Sequence, residues 1–509
     1  MKVGLLDRAH AMPEEFAILS NGAGGARWSD FCDRGLRLAA AIQATELDQR
    51  RRVLVIARNR PSTVLAHVAA ILGEASAVPV NFHLTAGELE YIAEESGARL
   101  AFVDSTTAAA TAKATTGLQM TIVALPDIGI DGDDLDAFIG GRAPLDLRPD
   151  QRVFPNLLFT SGTTGRPKAV QLPPKTIGDA SDLAGFLEHV SAHRLAQLGT
   201  HLVVGPMYHN GPLTAVRLLL AGVPLVVMDR FDAEATLAAI AVHRIESSIM
   251  VPTHFVRLLA LPEAVRDRHD VSSLREVAHT GGACPVDVKK AMIDWWGPVL
   301  TESYGGTESG TVCSISSTDW LAHPGAVGRA VPPFEALVVD EAGKPLPANT
   351  EGRLYFRDTT GRGIVYEGDP EKTAAAHLAP GVFTLGEIGR IDADGYVFIT
   401  DRFSDMVVSG GVNIYPAEVE HVLVQHEDVV DAACIGVPDH EMGERLVALV
   451  QARPDAEVAL DVLSAWCREH LAGYKCPKEF RFVAEVPRNP LGKIDKRSLR
   501  SSLLEGDPR

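Results

Sequence analysis

The chain has 509 residues, is 46% apolar and 22% charged by count, and carries a formal net charge of −18. Those proportions suit a globular protein of two to four domains, at about 100–200 residues per domain, with enough chain to build cores without staples. The acidic balance argues against non-specific nucleic-acid binding, which needs a basic footprint, but it leaves room for a local basic pocket.

Six cysteines (Cys32, Cys284, Cys313, Cys434, Cys467 and Cys476) show no CxxC pair or other metal-like spacing, so they read as scattered reduced thiols. The opening "MKVGLLDRAHAMPEEF" has too short an apolar run, followed too quickly by acids, to be a secretion signal. The longest apolar stretch, "LLLAGVPLVVM", falls well short of the roughly 20 residues that cross a bilayer. The expectation is a soluble, cytoplasmic protein.

In chain order, "RVLVIA" (Arg52–Ala57), "LAFVD" (Leu100–Asp104) and "LVVGP" (Leu202–Pro206) read as buried strands. "FDAEATLAAIAVHRI" reads as a helix capped by Asp232, with Leu237, Ile240 and Ala241 on one face. Such alternation over the first 300 residues or so predicts α/β layers with mostly parallel sheets. The character changes near residue 380. "GEIGRIDADGYVFITDR" reads as a hairpin about Asp394-Gly395. "YPAEVEHVLVQH" predicts a helix with Pro416 in its first turn. A last helix is expected in "DVLSAWCREHLAGYK", ending near Gly473.

"NLLFTSGTTGRPKAVQLP" (Asn156–Pro173) holds the densest chemistry. A Walker loop would place Ser or Thr after its lysine and enter a helix. Here Ala169 follows Lys168, and β-branched residues and a proline come next, so strand–loop–strand is predicted. Gly162 and Gly165 let backbone N–H groups approach an anion. Thr160, Ser161, Thr163 and Thr164 add hydroxyl donors, and Arg166 and Lys168 add charge, while Pro167 stiffens the exit. The loop is built for phosphate.

"TSGTTGRPK" resembles the phosphate loop of the adenylate-forming superfamily, which includes acyl- and aryl-CoA synthetases, luciferases and peptide-synthetase adenylation domains. The family's other elements occur in the right order: "ESYGGTES", "TDRFSDMVVSGGVNIYPAEVE", "GVPDHEMGERLVALV", "LAGYKCPKEF" and "PRNPLGKIDKR". The resemblance covers essentially the whole chain. It implies an α/β fold with a large N-terminal domain of layered subdomains (1–400), a hinge (401–404) and a small mobile α+β C-terminal domain (405–509).

It also implies ATP, Mg²⁺ and CoA as cofactors and substrates, and it is compatible with a homodimer. By resemblance, Thr160–Lys168 cradle the β- and γ-phosphates, Glu308 holds Mg²⁺ and Thr307 sits on the α-phosphate. Gly281, Gly282, Ala283 and Tyr304 line the adenine slot, with Gly305 and Gly306 where the adenine and acyl sites meet. Lys493 bridges the acyl carboxylate and the α-phosphate. Arg402 reaches the ribose side, and Gly410 and Gly411 swing in for the second half-reaction. The family's ribose-clamping aspartate is Glu387 here, and its usual hinge residue is Ser404.

"PMYHNGPLTAVRLLLAGVPLVVM" resembles the acyl-pocket wall, with His209 as a gate toward the incoming thiol. The implied pocket segments, Asn210–Val216, Thr253–Val256, His279–Gly282 and Tyr304–Gly306, contain no acid placed to receive an ammonium group. The implied reaction is adenylation of a hydrophobic monocarboxylic acid with release of pyrophosphate, then transfer to CoA. Two alternatives stand beside it: delivery of the acyl group to a carrier protein or amine, and an inactive homologue that keeps nucleotide or acyl recognition.

Overall fold

The computed structural model describes residues 3–21, 24–160, 168–171, 182–367, 369–402, 405–409, 412–439, 443–454, 456, 459–471, 473, 475–488 and 494–505. The strand Arg52–Ile56 is buried along its whole length, as are Ser76–Pro79 and Leu100–Val103. Near-continuous apolar runs of this kind belong in parallel sheets covered on both faces. They form a four-stranded parallel sheet, completed by Thr121–Ala124. All twelve residues of the helix Pro61–Leu72 are buried. A helix apolar on every side must lie between layers, and this one packs against the helices Trp28–Ala44 and Asn210–Leu220.

The second sheet has nine strands. Leu300–Gly306, Glu276–His279, Ser247–Met250, His201–Val203, Leu225–Val227 and Phe16–Ser20 lie side by side in that order, all parallel. The expected helix after Phe231 spans Ala233–His243, and the Asp232 carboxylate accepts from the Ala235 N–H. The strand expected over Leu202–Pro206 covers His201–Val203. Gly205 and Pro206 belong to the loop beyond it, where the Gly205 carbonyl accepts from the Asn59 side chain at 2.7 Å.

The change of character placed near residue 380 begins earlier. An antiparallel sheet already starts at Phe334–Val339 and Gly352–Asp358 and runs through Glu387–Ile391 to Val397–Arg402. The Asp394-Gly395 hairpin is its last turn. From Val407 the chain enters another sheet, in which the long strands Val429–Asp439 and Gly443–Ala452 pair antiparallel. The helices Pro416–Val424 and Leu460–His470 accompany it. Leu460–His470 is not the last helix: Lys496–Glu505 follows, anchored by Leu499 and Leu503 against Ala433 and Ile435. Its sequence is mostly polar, and among the described residues Leu499 and Leu503, one turn apart, carry its core contact.

Candidate active site

The parallel row in the nine-stranded sheet fixes the site. Strand His201–Val203 leads into Met207-Tyr208-His209, and Ser247–Met250 leads into Val251. Glu276–His279 leads into Thr280–Ala283, and Leu300–Gly306 leads into Thr307-Glu308. These strands are neighbours and parallel, so the segments predicted to hold acid and nucleotide all leave the same edge. Carboxyl ends of parallel strands are where open α/β sheets bind ligands.

His209 stands at the position just before the helix Asn210–Leu220, and its ring lies 4.4 Å from that of Tyr208. A side chain at Gly211 would touch Ile249 and Thr280, so the start of this helix packs on the loop carrying Gly281. That glycine has φ +88°, and Gly282 faces open space. Buried Asn59, 2% exposed, ties the His209 loop to the first sheet. Its amide donates to Gly205 O at 2.7 Å and Met228 O at 3.2 Å, and its carbonyl accepts from the Met207 N–H at 2.9 Å. Sequence reasoning missed it, because an asparagine after a strand carries no mark of partners 148 residues away.

The motif Tyr304–Glu308 forms the end of one strand and the tight turn to the next, Gly310–Ser316. Gly305 and Gly306, placed by the sequence where the adenine and acyl sites meet, leave no free volume there. A Cβ at Gly305 would lie 2.0 Å from the Gly310 carbonyl oxygen, and one at Gly306 would lie 2.8 Å from the Glu308 carboxylate. The glycines exist because the hairpin closes on itself there.

Two tyrosine–carboxylate bonds organise the polar side. The Tyr304 hydroxyl donates to Glu387 at 2.7 Å, which joins the expected adenine and ribose residues. Glu387 is buried and stands opposite Arg402 across the antiparallel ladder. The Tyr366 hydroxyl donates to Glu308 at 2.7 Å. Burial, and then the Glu308 carboxylate, push this phenol well above its ordinary pKa, so it stays a donor. The neighbouring Glu367 pairs with Arg52, and its N–H reaches Ala169 O on the strand leaving the phosphate loop. Tyr366 also escaped the sequence reading.

Beneath this face lies a buried ion pair. Lys289 Nζ is 2.5 Å from Glu302 Oε2 and 4.8 Å from the Trp320 ring centre. Burial pulls Lys289 down and Glu302 up, and each charge opposes the shift of the other. His279, fully buried beside them, is held neutral by burial.

Thr160 and Lys168 face each other as the last and first residues of an antiparallel strand pair, which is the predicted strand–loop–strand. Ser161, Gly162, Thr163, Thr164, Gly165, Arg166 and Pro167 lie outside the described residues, as do Ser404, Gly410, Gly411 and Lys493. The described residues hold no group of three or more His, Cys, Asp or Glu side chains able to grip a metal. Glu308 alone, with oxygen donors, suits a magnesium ion that takes its other ligands from phosphates and water.

Residues 6–363 match the AMP-binding enzyme family and residues 418–493 its C-terminal domain. The chain belongs to the AMP-binding, adenylate-forming family. It is 33% identical to the 3-[(3aS,4S,7aS)-7a-methyl-1,5-dioxo-octahydro-1H-inden-4-yl]propanoyl:CoA ligase of Rhodococcus jostii, covering 97% of both chains. It is 32% identical to a feruloyl-CoA synthase of an Amycolatopsis species, again over 97% of each. Among solved structures, ATP-bound MatB from Rhodopseudomonas palustris superposes with a TM-score of 0.82 at 27% identity over 99% of both chains. Relatives named as CoA ligases thus match this chain over nearly its whole length. No helix among the described residues is long and apolar enough to cross a membrane.

Proposed function

We propose that this chain is a cytoplasmic acyl-CoA synthetase whose substrate is a carboxylic acid with an apolar body. The observation that carries this reading is the row of parallel strand ends. It brings the His209 loop, Thr280–Ala283, Tyr304 and Glu308 to one edge, in a chain that its CoA-ligase relatives match almost end to end. In the first half-reaction a carboxylate oxygen attacks the α-phosphorus of ATP, and the bond to the pyrophosphate oxygen breaks. In the second a CoA thiolate attacks the acyl carbon and AMP departs.

Two anions meet in the first step, so catalysis is charge neutralisation and in-line placement. The Thr160–Lys168 loop holds the terminal phosphates, Thr307 orients the α-phosphate, and Lys493 bridges the carboxylate and the phosphorus. Glu387 and Arg402 take the ribose side, with Tyr304 against the base. Glu308 holds Mg²⁺, which when bound screens phosphate charge. We take 401–404 as the hinge between domains 1–400 and 405–509, and Gly410-Gly411 as part of the face presented for thioester formation.

The test is pyrophosphate release from Mg-ATP across straight-chain, aryl and polycyclic acids, each with and without CoA. Acid-dependent release with a CoA thioester supports the reading. Release without a thioester moves the acceptor to a carrier protein or amine, and ATP binding with no turnover for any acid points to an inactive homologue. Lys493→Ala is expected to abolish adenylation while sparing thioester formation from supplied acyl-adenylate, and equal damage to both steps would sink the alternation of domains.

A further inference from the structure

The implied acyl pocket segment Asn210–Val216 stops one residue before an arginine. On the helix Asn210–Leu220, Asn210, Thr214 and Arg217 recur at intervals of four and three, so they share one face. Arg217 Nη2 donates to Thr214 Oγ1 at 2.9 Å, and Thr214 in turn donates to the Asn210 carbonyl at 3.3 Å. Among the described residues no carboxylate meets the guanidinium. Nearby Arg194 has Glu276 as its partner. His193 is held at about 4 by burial and then by the charges of Arg217, Arg194 and His189, so it is neutral and offers no counter-charge. At the head of the same face, the Asn210 side-chain oxygen is buried with no hydrogen-bond partner among the described residues.

Arg217 is partly buried on the helix: burial lowers the guanidinium from 12.5 to about 10, yet the residue keeps part of its surface accessible. A charge taken out of water without a counter-ion is costly, and such groups are ordinarily paired. Arg217 lies seven residues along the helix from Asn210, about 10 Å along the axis. The N-terminal end of that axis is the His209 loop, where the reacting carboxylate belongs.

We propose that Arg217 is a specificity-determining residue that binds a second anionic group, a distal carboxylate, at the far end of the acyl pocket. This rests on the ligase reading above and alters its substrate class: the apolar body carries a carboxylate at each end. Thr214 orients the guanidinium. A guanidinium binds a carboxylate through paired, charge-assisted hydrogen bonds, and a site built to make such bonds rejects an analogue that lacks the group.

The test compares acids of matched length: diacids from succinate to sebacate against the corresponding monoacids and diacid monomethyl esters, with 3-phenylpropanoate against its para-carboxylated analogue. In the wild type, kcat/KM for the best diacid is expected to exceed that for its monoacid and monoester by about tenfold or more, and Arg217→Leu to lower that ratio by about a hundredfold. Arg217→Lys, which keeps the charge but not the fork, is expected to fall between. Thr214→Val serves as a second variant, expected to narrow the ratio without removing the charge. A wild type that turns over monoacids and their esters at least as well as diacids overturns the assignment and leaves the ligase reading standing, as does a ratio unmoved in Arg217→Leu. Calorimetric diacid binding that disappears in Arg217→Leu, in a protein releasing no pyrophosphate with any acid, supports the subsite and sinks the ligase reading instead.

Discussion

Single hydrogen bonds decide whether the site's carboxylates point usefully. Glu308 is fixed by the Tyr366 hydroxyl at 2.7 Å, and Tyr366 is itself held by its N–H to Thr373 Oγ1 and by Lys372 over its ring. Hydrogen bonds to charged groups contribute about 1.5–3 kcal/mol. Tyr366→Phe keeps the ring and removes that bond, so Glu308 is free to rotate. The expected outcome is a tenfold or greater rise, roughly, in the Mg²⁺ concentration needed for half-maximal adenylation, with thermal stability within a few degrees of wild type. An Mg²⁺ titration of pyrophosphate release in both proteins checks it, and superimposable curves would remove Tyr366 from any role at the metal. Asn59 acts differently, through the backbone of the His209 loop. Asn59→Ala strands three buried partners at once. A loss of about 2–4 kcal/mol in urea unfolding is expected, together with a raised KM for the acid. Unchanged KM in a destabilised variant would make Asn59 purely structural.

At the scale of elements, the strand Leu300–Gly306 does two jobs: its end presents Tyr304 and Glu308, and its middle is pinned by Glu302 to Lys289 on the helix Val286–Trp296. Removing one partner of a buried pair leaves an uncompensated charge, which typically costs about 3–5 kcal/mol, whereas replacing both by apolar groups is often neutral. Lys289→Met is therefore expected to destabilise by that amount, and Lys289→Met with Glu302→Leu to recover most of it; a double variant as unstable as the single one would show that the charges themselves hold the strand. The elements legible in the sequence are those whose signal is local. Arg52–Ile56 and Leu100–Val103 are continuous apolar runs, Asp232 is a cap beside a helical face, and Asp394-Gly395 is a hairpin turn between alternating strands. The helix Lys496–Glu505 was not legible, because its sequence is mostly polar and, among the described residues, Leu499 and Leu503 carry its contact with the core. Within the site, the motif residues could be read from their order along the chain. Asn59, Tyr366 and the Lys289–Glu302 pair could not, because each acquires its role only when distant segments are folded together. The two glycines after Tyr304 lie against the Gly310 backbone and the Glu308 side chain, contacts that were not legible because sequence reveals a missing side chain but not what fills its place.

The molecule as a whole is tuned to neutral pH by histidines it keeps uncharged. Burial holds His67, His201 and His254 at about 3. His201 spends a ring nitrogen on the Ser247 hydroxyl at 2.9 Å, and His254 stacks on Phe231 and accepts from the Val251 N–H. An unfolded histidine titrates near 6.5. Between that value and about 3, the unfolded chain binds protons that the folded chain refuses. Stability therefore rises with pH across this window and falls on acidification, by up to about 1.4 kcal/mol per pH unit for each such histidine. Three of them acting together would remove about 4 kcal/mol by roughly pH 5.5, a large share of the 5–15 kcal/mol that holds a typical domain. His254 couples this loss to the site, because it supports Val251, whose side chain would lie 3.4 Å from a Cβ on Gly281. Urea midpoints measured from pH 7.5 down to 5 are expected to fall steeply below about 6.5, and adenylation is expected to fall over the same interval. His67 lies on the helix that is buried on every side, and leucine is close to it in size. His193 and His279 are kept neutral by burial as well, so His67→Leu is expected to reduce the slope by about a fifth while leaving the pH dependence of adenylation in the folded protein unchanged. A slope identical to wild type would mean that the folded protein accepts a proton at His67, and that the acid sensitivity belongs to other groups.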